Sequence, residues 1–243
     1  VIIDITKSGY RKGYLPRHGV GVFHPFFATA NAAFRRSALE AVNGFDGRCA
    51  TGEDIDLCIR VARADYELWF EPSAKVTHFH RSTLRGLLVQ WFRYGYGHAY
   101  LFRKHGPARR LEFYRYDLSK TNDSPFGIAR VLSLPSPVPG MVFLSSYHAM
   151  HLGLVGAVAA FAAGARALGW TALLGAAVAA AWYFAPGLDA RHPFRSMARS
   201  ALRYVSDGAY VLGGLLGGFS QGMIYLEATR TRRDRGATAG GRE

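Results

Sequence analysis

The stretch Glu53-Asp54-Ile55-Asp56 places three carboxylates in four positions, just ahead of the apolar run Leu57-Cys58-Ile59. Such a cluster has three uses: to start a helix, to hold a metal, or to take a proton. As a helix start, Thr51 would be the N-cap with Asp54 three residues on, the acids would complement the helix dipole, and Asp56 would pair with Arg60 one turn later. As a metal pair, Asp54 and Asp56 are poorly placed, because alternate residues of a helix point about 200° apart. As a base, a carboxylate fixed at a helix start suits removal of a hydroxyl proton. Spacing alone leaves capping and proton transfer competing for the same oxygens.

The neighbouring elements would position this cluster. Residues 28–46 (ATANAAFRRSALEAVNGFD) read as a small-residue segment, a helix over about 36–42 and a Gly-Phe-Asp turn. Residues 66–81 (YELWFEPSAKVTHFHR) read as two short strands around Glu71-Pro72-Ser73, with Val76, His78 and His80 on one face. Residues 81–106 (RSTLRGLLVQWFRYGYGHAYLFRKHG) then form an aromatic, basic amphipathic helix. Its Trp91, Tyr96 and Tyr100 are equally readable as an interfacial aromatic belt.

In this order, Asn31, Arg35-Arg36, Gly-Phe-Asp, Gly-Glu-Asp-x-Asp-Leu, a strand with His and Gln-x-x-Arg-aromatic resemble the acceptor-side half of a family 2 glycosyltransferase of GT-A fold. The resemblance covers roughly residues 20–106. It implies that Asp54 is the general base of an inverting sugar transfer. Arg93, with His78, would face the donor diphosphate, and Asn31, Glu53, Gln90 and Tyr94 would serve the acceptor or sugar. Tyr94 stands where processive members carry Trp. The family's nucleotide-binding unit, ending in a metal-binding Asp-x-Asp, is not seen before residue 50, so the expectation is a fragment of a longer enzyme. Mg²⁺ or Mn²⁺ would then be held mainly by residues outside this sequence, with His78 as a possible ligand here. The implied partners are a UDP- or GDP-sugar and a lipid-linked or envelope glycan acceptor.

Charge divides the 243-residue chain. Residues 1–80 carry ten Lys and Arg against nine acids, residues 81–130 ten against three, and residues 131–243 ten against five, giving a net +13. The second half has uncharged gaps of 35, 22 and 19 residues, at 131–165, 167–188 and 208–226, against the roughly 20 residues that a membrane helix needs. Residues 141–163 and 167–184 read as a membrane hairpin. Residues 208–226, with Gly213, Gly214, Gly217 and Gly218, read as a segment lying in or dipping into the cytoplasmic leaflet, since a third span would export the arginine tail. The basic excess flanks these segments and points to anionic membrane lipids, with no nucleic-acid signature. Cys49 and Cys58 lack metal or disulfide spacing and suit a reducing compartment. No signal peptide is visible.

The expected fold is therefore α/β, a partial GT-A-like catalytic domain followed by an α-helical membrane region. Its parts would be residues 1–106, the glycosyltransferase half; 107–138, a basic juxtamembrane linker; 139–185, a transmembrane hairpin; 186–228, an interfacial helix and Gly-rich membrane segment; and 229–243, a disordered basic tail. The location would be the inner (plasma) membrane, with the catalytic part facing the cytoplasm. A non-catalytic membrane adaptor that keeps the glycosyltransferase-like half as a docking surface is the alternative.

Overall fold

The computed structural model describes residues 2–4, 13–14, 26–79, 81–116 and 128–227. Strands β1 (Ile2–Asp4) and β2 (Gly13–Tyr14) precede helices α1 (Arg36–Ala41) and α2 (Glu53–Arg63), strands β3 (Trp69–Phe70) and β4 (Thr77–Phe79), and helix α3 (Leu84–His105). The strands on either side of Glu71-Pro72-Ser73 do not pair with each other. β4 runs antiparallel to β1, and β3 antiparallel to β2. The apolar stripe of α2 is buried: Leu57, Cys58 and Val61 form one core with Leu68 and Phe70, flanked by Phe26, Phe27 and Phe34.

Helix α3 begins where the Thr83 hydroxyl accepts the Gly86 N–H at 3.1 Å, and ends with Arg103, Lys104 and His105, cations that complement its C-terminal dipole. Its second half is covered by a sheet. The stretch 107–138, expected as a linker, carries β5 (Arg110–Tyr116) and β6 (Ile128–Pro135); β7 (Gly140–Phe143) and the distant β8 (Ile224–Leu226) complete the order β6-β5-β7-β8. β5 and β6 are antiparallel, whereas β5 with β7 and β7 with β8 are parallel. Tyr114, Ile128, Met141, Phe143 and Tyr225 of this sheet meet Ala99 and Phe102 of α3 in a second core. The basic residues that suggested a linker project from its strands, and Arg130 reaches the fully buried Glu112 carboxylate at 2.9 Å.

Residues 141–143 belong to β7, so the first apolar helix starts later than the sequence suggested. Helices α4 (Ser146–Ala162) and α5 (Arg166–Phe184) pack antiparallel, with Gly153 against Ala172 and Ala176, and Phe161 over Gly169. α5 is long and apolar enough to cross a membrane, and α4 is a shorter apolar helix. Leu154, Val158, Leu168, Trp170, Leu174 and Trp182 face outward.

The largest departure concerns residues 186–228. An interfacial helix and a separate Gly-rich membrane segment were expected, but one helix, α6 (Pro193–Ser220), runs through both for 28 residues, about 42 Å, before the chain turns into β8. Its glycines press against other parts of the chain, Gly213 and Gly217 against α3, Gly214 and Gly218 against Tyr225, and Gly208 against Tyr147. A Cβ on Gly213 would lie 2.0 Å from the Phe92 carbonyl oxygen, one on Gly95 2.0 Å from that of Tyr210, and one on Gly217 2.8 Å from that of Tyr96. The other half of α6 holds the hairpin: the Tyr183 hydroxyl donates to Asp207 at 2.6 Å, the Arg203 guanidinium lies 4.2 Å over the Tyr183 ring, and His151 Nε2 is 2.9 Å from the Tyr204 hydroxyl. The tail at 229–243 lies outside the described residues.

Gly213→Ala should force α3 and α6 apart and lower the thermal midpoint of the detergent-solubilised protein, at a cost of about 2 kcal/mol or more, typical of overpacking. Gly175→Ala, where an added Cβ meets nothing within 4 Å, should leave the midpoint within about 2 °C. Equal midpoints for the two variants would show that the helices do not meet through their backbones.

Candidate active site

The loop before α2 is shaped to receive α3. Gly52 is the N-cap of α2, at φ 80°, and a Cβ there would lie 2.7 Å from Leu101 Cδ1 of α3. Only glycine takes this left-handed conformation without strain and leaves Leu101 room. Thr51 is therefore not the cap that the sequence suggested. Its hydroxyl instead donates to the Arg93 carbonyl oxygen at 2.7 Å, and Gly97 seats against it, because a Cβ on Gly97 would lie 2.0 Å from Thr51 Oγ1. The start of α2 is thereby fastened to the turn of α3 that carries Gln90, Arg93 and Tyr94.

Asp54 sits half-buried in the first turn of α2. Its carboxylate accepts the Ile55 N–H at 2.9 Å. Burial raises its pKa, with the neighbouring Glu53 charge adding to the rise and the backbone N–H groups of Ile55, Asp54 and Thr29 opposing it. The carboxylate is thus fixed in place and more basic than an exposed aspartate. Asn31 ends the 3-10 turn Thr29–Asn31, and its amide donates to the Ala74 carbonyl oxygen at 2.8 Å. It lines a cleft of about 1040 Å³ with Phe26, Phe27, Tyr66 and Trp69; Glu53, Asp54, Gln90, Arg93 and Tyr94 do not line that cleft.

On α3 the Gln90 amide donates to the Tyr94 hydroxyl at 2.7 Å, so these two form one unit on the exposed face. The Arg93 side chain is exposed and pairs with no described residue, which leaves its fork available to an anion. His78 lies in the middle of β4, opposite Ile3, and its side chain is outside the described residues, as is His80. Through Thr51 the structure joins the Asp54 turn to the Arg93 turn, whereas Asn31 lines the cleft, which the other described candidates do not.

A second set of charges was not anticipated. Asp56 is fully buried and meets Arg60 at 2.8 Å, Lys104 at 2.5 Å and His105 at 2.7 Å. Lys104 also reaches Asp46 of the Gly-Phe-Asp turn at 2.7 Å, and Asp46 binds Arg48 at 3.0 Å. Burial pushes the Asp56 carboxyl up, but hydrogen bonds from Lys104, His105 and Arg60 outweigh it and hold the group below the usual range. Arg48 and Lys104 likewise hold Asp46 well below that range. The Asp56–Arg60 spacing was visible in the sequence; the role of Lys104 and His105, almost 50 positions later, had no local signal.

Asp46, Cys49 and Asp56 place one possible metal-ligand atom each within 4.8 Å of one another. They do not fit Mg²⁺ or Mn²⁺. Lys104 already stands between the two carboxylates, and burial raises the Cys49 thiol to about 11, so it remains protonated. A hard dication requires several free oxygens and finds here an ammonium in its place.

Comparisons with known proteins identify the family. The model of a family described as glycosyl transferase family group 2 matches residues 13–186, well over half of the chain. The pre-mycofactocin glycosyltransferase of Mycobacterium tuberculosis (strain ATCC 25618 / H37Rv) is 39% identical over 80 residues, 33% of this chain and 17% of that protein. The succinoglycan biosynthesis protein ExoA of Rhizobium meliloti is 35% identical over 75 residues, 31% of this chain and 23% of that protein. The O-antigen chain rhamnosyltransferase WbaN of Salmonella anatum is 31% identical over 120 residues, 46% of this chain and 38% of that protein. The chain thus spans less than two fifths of the length of each. No solved structure matches.

Lys104→Met should destabilise the protein by roughly 3 kcal/mol, because Asp56 stays buried with one cation fewer. The two depressed carboxylates contribute stability that is fully present above an unfolded pKa of about 3.9 and is lost as pH falls below it. In Lys104→Met the Asp56 pKa rises toward its unfolded value, so the acid-dependent loss, followed by chemical denaturation between pH 6 and about 2.5, should be shallower than in the wild type. A steeper loss in the variant, or an Mn²⁺ site in the wild type that Asp46→Asn removes, would show that Lys104 is not the internal counter-ion.

Proposed function

This chain belongs to glycosyl transferase family group 2, and on that premise we propose that it is the acceptor-side part of a membrane-associated, inverting glycosyltransferase. The observation that carries the reading is the Thr51–Arg93 junction, which sets the Asp54 turn beside the Gln90–Tyr94 face. In the reaction, an acceptor hydroxyl oxygen attacks the anomeric carbon of a UDP- or GDP-sugar. The C–O bond to the nucleoside diphosphate breaks, its electron pair leaves with the diphosphate, and Asp54 takes the hydroxyl proton. Arg93 meets the charge of the diphosphate with two N–H groups, and Gln90, Tyr94, Asn31 and Glu53 hold the acceptor and transferred sugar. His78 serves the diphosphate from β4. In this family Mg²⁺ or Mn²⁺ neutralises the leaving diphosphate when bound; the described residues provide no fitting site, and no step here depends on it.

The acceptor is a lipid-linked or envelope glycan at the inner membrane, with the site on the cytoplasmic side. The names of the relatives from Rhizobium meliloti and Salmonella anatum support a polysaccharide product. The outward apolar side chains of α4 and α5, with Arg166 at one end and Arg191, Arg195 and Arg199 beyond the other, support contact with anionic lipid.

Asp54→Asn should reduce transfer at least about 100-fold while leaving nucleotide-sugar affinity within about twofold, since an amide keeps the backbone contacts but takes no proton. Because the Asp54 pKa is raised and the ionised form is the base, wild-type turnover should fall with decreasing pH at a value above about 3.9. Full turnover by the variant would remove Asp54 from the mechanism.

Membrane contact is tested separately by tryptophan quenching. Trp170 and Trp182 are 64% and 60% exposed. In vesicles of brominated lipid their emission should be quenched, and the double substitution to Phe should abolish most of that quenching. An unquenched wild type would mean that α5 does not face lipid.

A further inference from the structure

Next to the Gln90–Tyr94 pair stands a side chain without a role so far. The Trp91 and Tyr94 rings lie 5.8 Å apart at 85°, and each residue remains 38% exposed. They form the two walls of a right-angled corner on α3. Both walls are held from behind. The Gln90 amide fixes the Tyr94 hydroxyl at 2.7 Å, and Trp91 leans edge-on against Tyr210 of α6 at 6.2 Å and 77°. Tyr210 is itself anchored: its hydroxyl donates to Glu227 and lies 2.8 Å from His98 Nδ1, while the Tyr225 hydroxyl donates to the same Glu227 oxygen at 2.6 Å. The Glu227 carboxylate, which accepts from Tyr210 and Tyr225 and lies 3.1 Å from His98 Nδ1, locks α3, α6 and β8 behind the indole.

We propose that Trp91 and Tyr94 form a two-walled pyranose subsite, with Trp91 as a second stacking residue that binds the acceptor sugar next to the one being extended. This rests on the glycosyl-transfer reading above. The corner combines what a sugar requires: two apolar ring faces for its C–H groups, and an amide and a phenol hydroxyl alongside for its hydroxyls. Its rigidity means that little side-chain freedom is lost on binding. A bilayer would call for a different surface, such as the outward face of α5, where Trp170, Leu174, Val178 and Trp182 carry no amide or carboxylate. The Arg93 carbonyl, bound by Thr51, lies between Trp91 and Tyr94 in sequence, so the subsite is within one helical turn of the junction that bears the base.

The test is saturation-transfer difference NMR on the full chain in lipid nanodiscs, with maltose and a rhamnose-containing disaccharide as probes, in the wild type, Trp91→Ala, Trp91→Phe and Asp54→Asn. The wild type should saturate the ring C–H protons of at least one probe. Trp91→Ala should weaken its binding roughly tenfold, the loss of about 1.4 kcal/mol, and Trp91→Phe should stay within about threefold. Absence of binding by the wild type, or unchanged binding by Trp91→Ala, overturns the subsite. So does Trp91→Ala protein that binds sugar normally but loses affinity for vesicles containing phosphatidylglycerol, which would make Trp91 a bilayer anchor. Asp54→Asn should bind the probes as the wild type does. Sugar binding that depends on Trp91, together with full transfer by Asp54→Asn in the complete enzyme that carries the nucleotide-binding unit, would leave the subsite standing and remove the proposed reaction.

Discussion

The arrangement of α3, α6 and β8 depends on how closely two helices approach. Gly95, Gly213 and Gly217 allow the backbones of α3 and α6 to touch, with carbonyl oxygens occupying the space where side chains would otherwise begin. Between 208 and 218, α6 holds five glycines, each costing about 1 kcal/mol of helix stability relative to alanine. Such a helix would be weak alone. Tertiary contact compensates, because close approach gains dispersion along both backbones and sets the Tyr210 ring behind Trp91. The same contact brings β8 into register beside β7, so a sheet whose strands lie more than 80 positions apart closes around Phe102 and Tyr225.

The opposite face of α3 is organised by charge. Lys104 joins Asp46 and Asp56, and Arg60 ties α2 to the carbonyl oxygen of Val42 at 2.5 Å. The buried Asp56, the partly exposed Asp46 and their cations hold the Gly-Phe-Asp turn, α2 and the end of α3 in one arrangement. This explains how three acids so close in sequence come to differ. Asp56 is satisfied and silent, Asp54 is fixed by N–H groups with a raised pKa, and Glu53 lends its charge to that rise.

Helix α6 links the two regions. One half bears on α3, and the other holds the α4–α5 hairpin through Tyr183, Arg203, Tyr204 and Asp207. Its outer surface mixes apolar side chains, with Phe194 and Phe219 more than four fifths exposed, and the exposed Arg195 and Arg199. A polar staple between helices that otherwise show aliphatic side chains gives the hairpin one orientation relative to α3, since unpaired polar groups would be costly in any other.

Much of this was legible in the sequence. The apolar stripe of α2, the Asp56–Arg60 pair, the amphipathic α3 with Gln90, Arg93 and Tyr94 on neighbouring turns, and the two apolar helices follow from spacings of three to four residues and from runs without charge. These are local signals. What required tertiary structure was the choice of partner. Glycines four apart in an uncharged run suit lipid-embedded helices and protein cores equally, and only the presence of Gly95 and Phe92, over 100 positions away, decides for the core. Thr51 has the makings of a cap until the Arg93 carbonyl claims its hydroxyl. Residues 107–138 look like a basic linker until β7 and β8 supply the strands beside them. Local sequence determines which face of an element is apolar, whereas its partner is decided by contacts between distant segments, whose energy no short stretch contains.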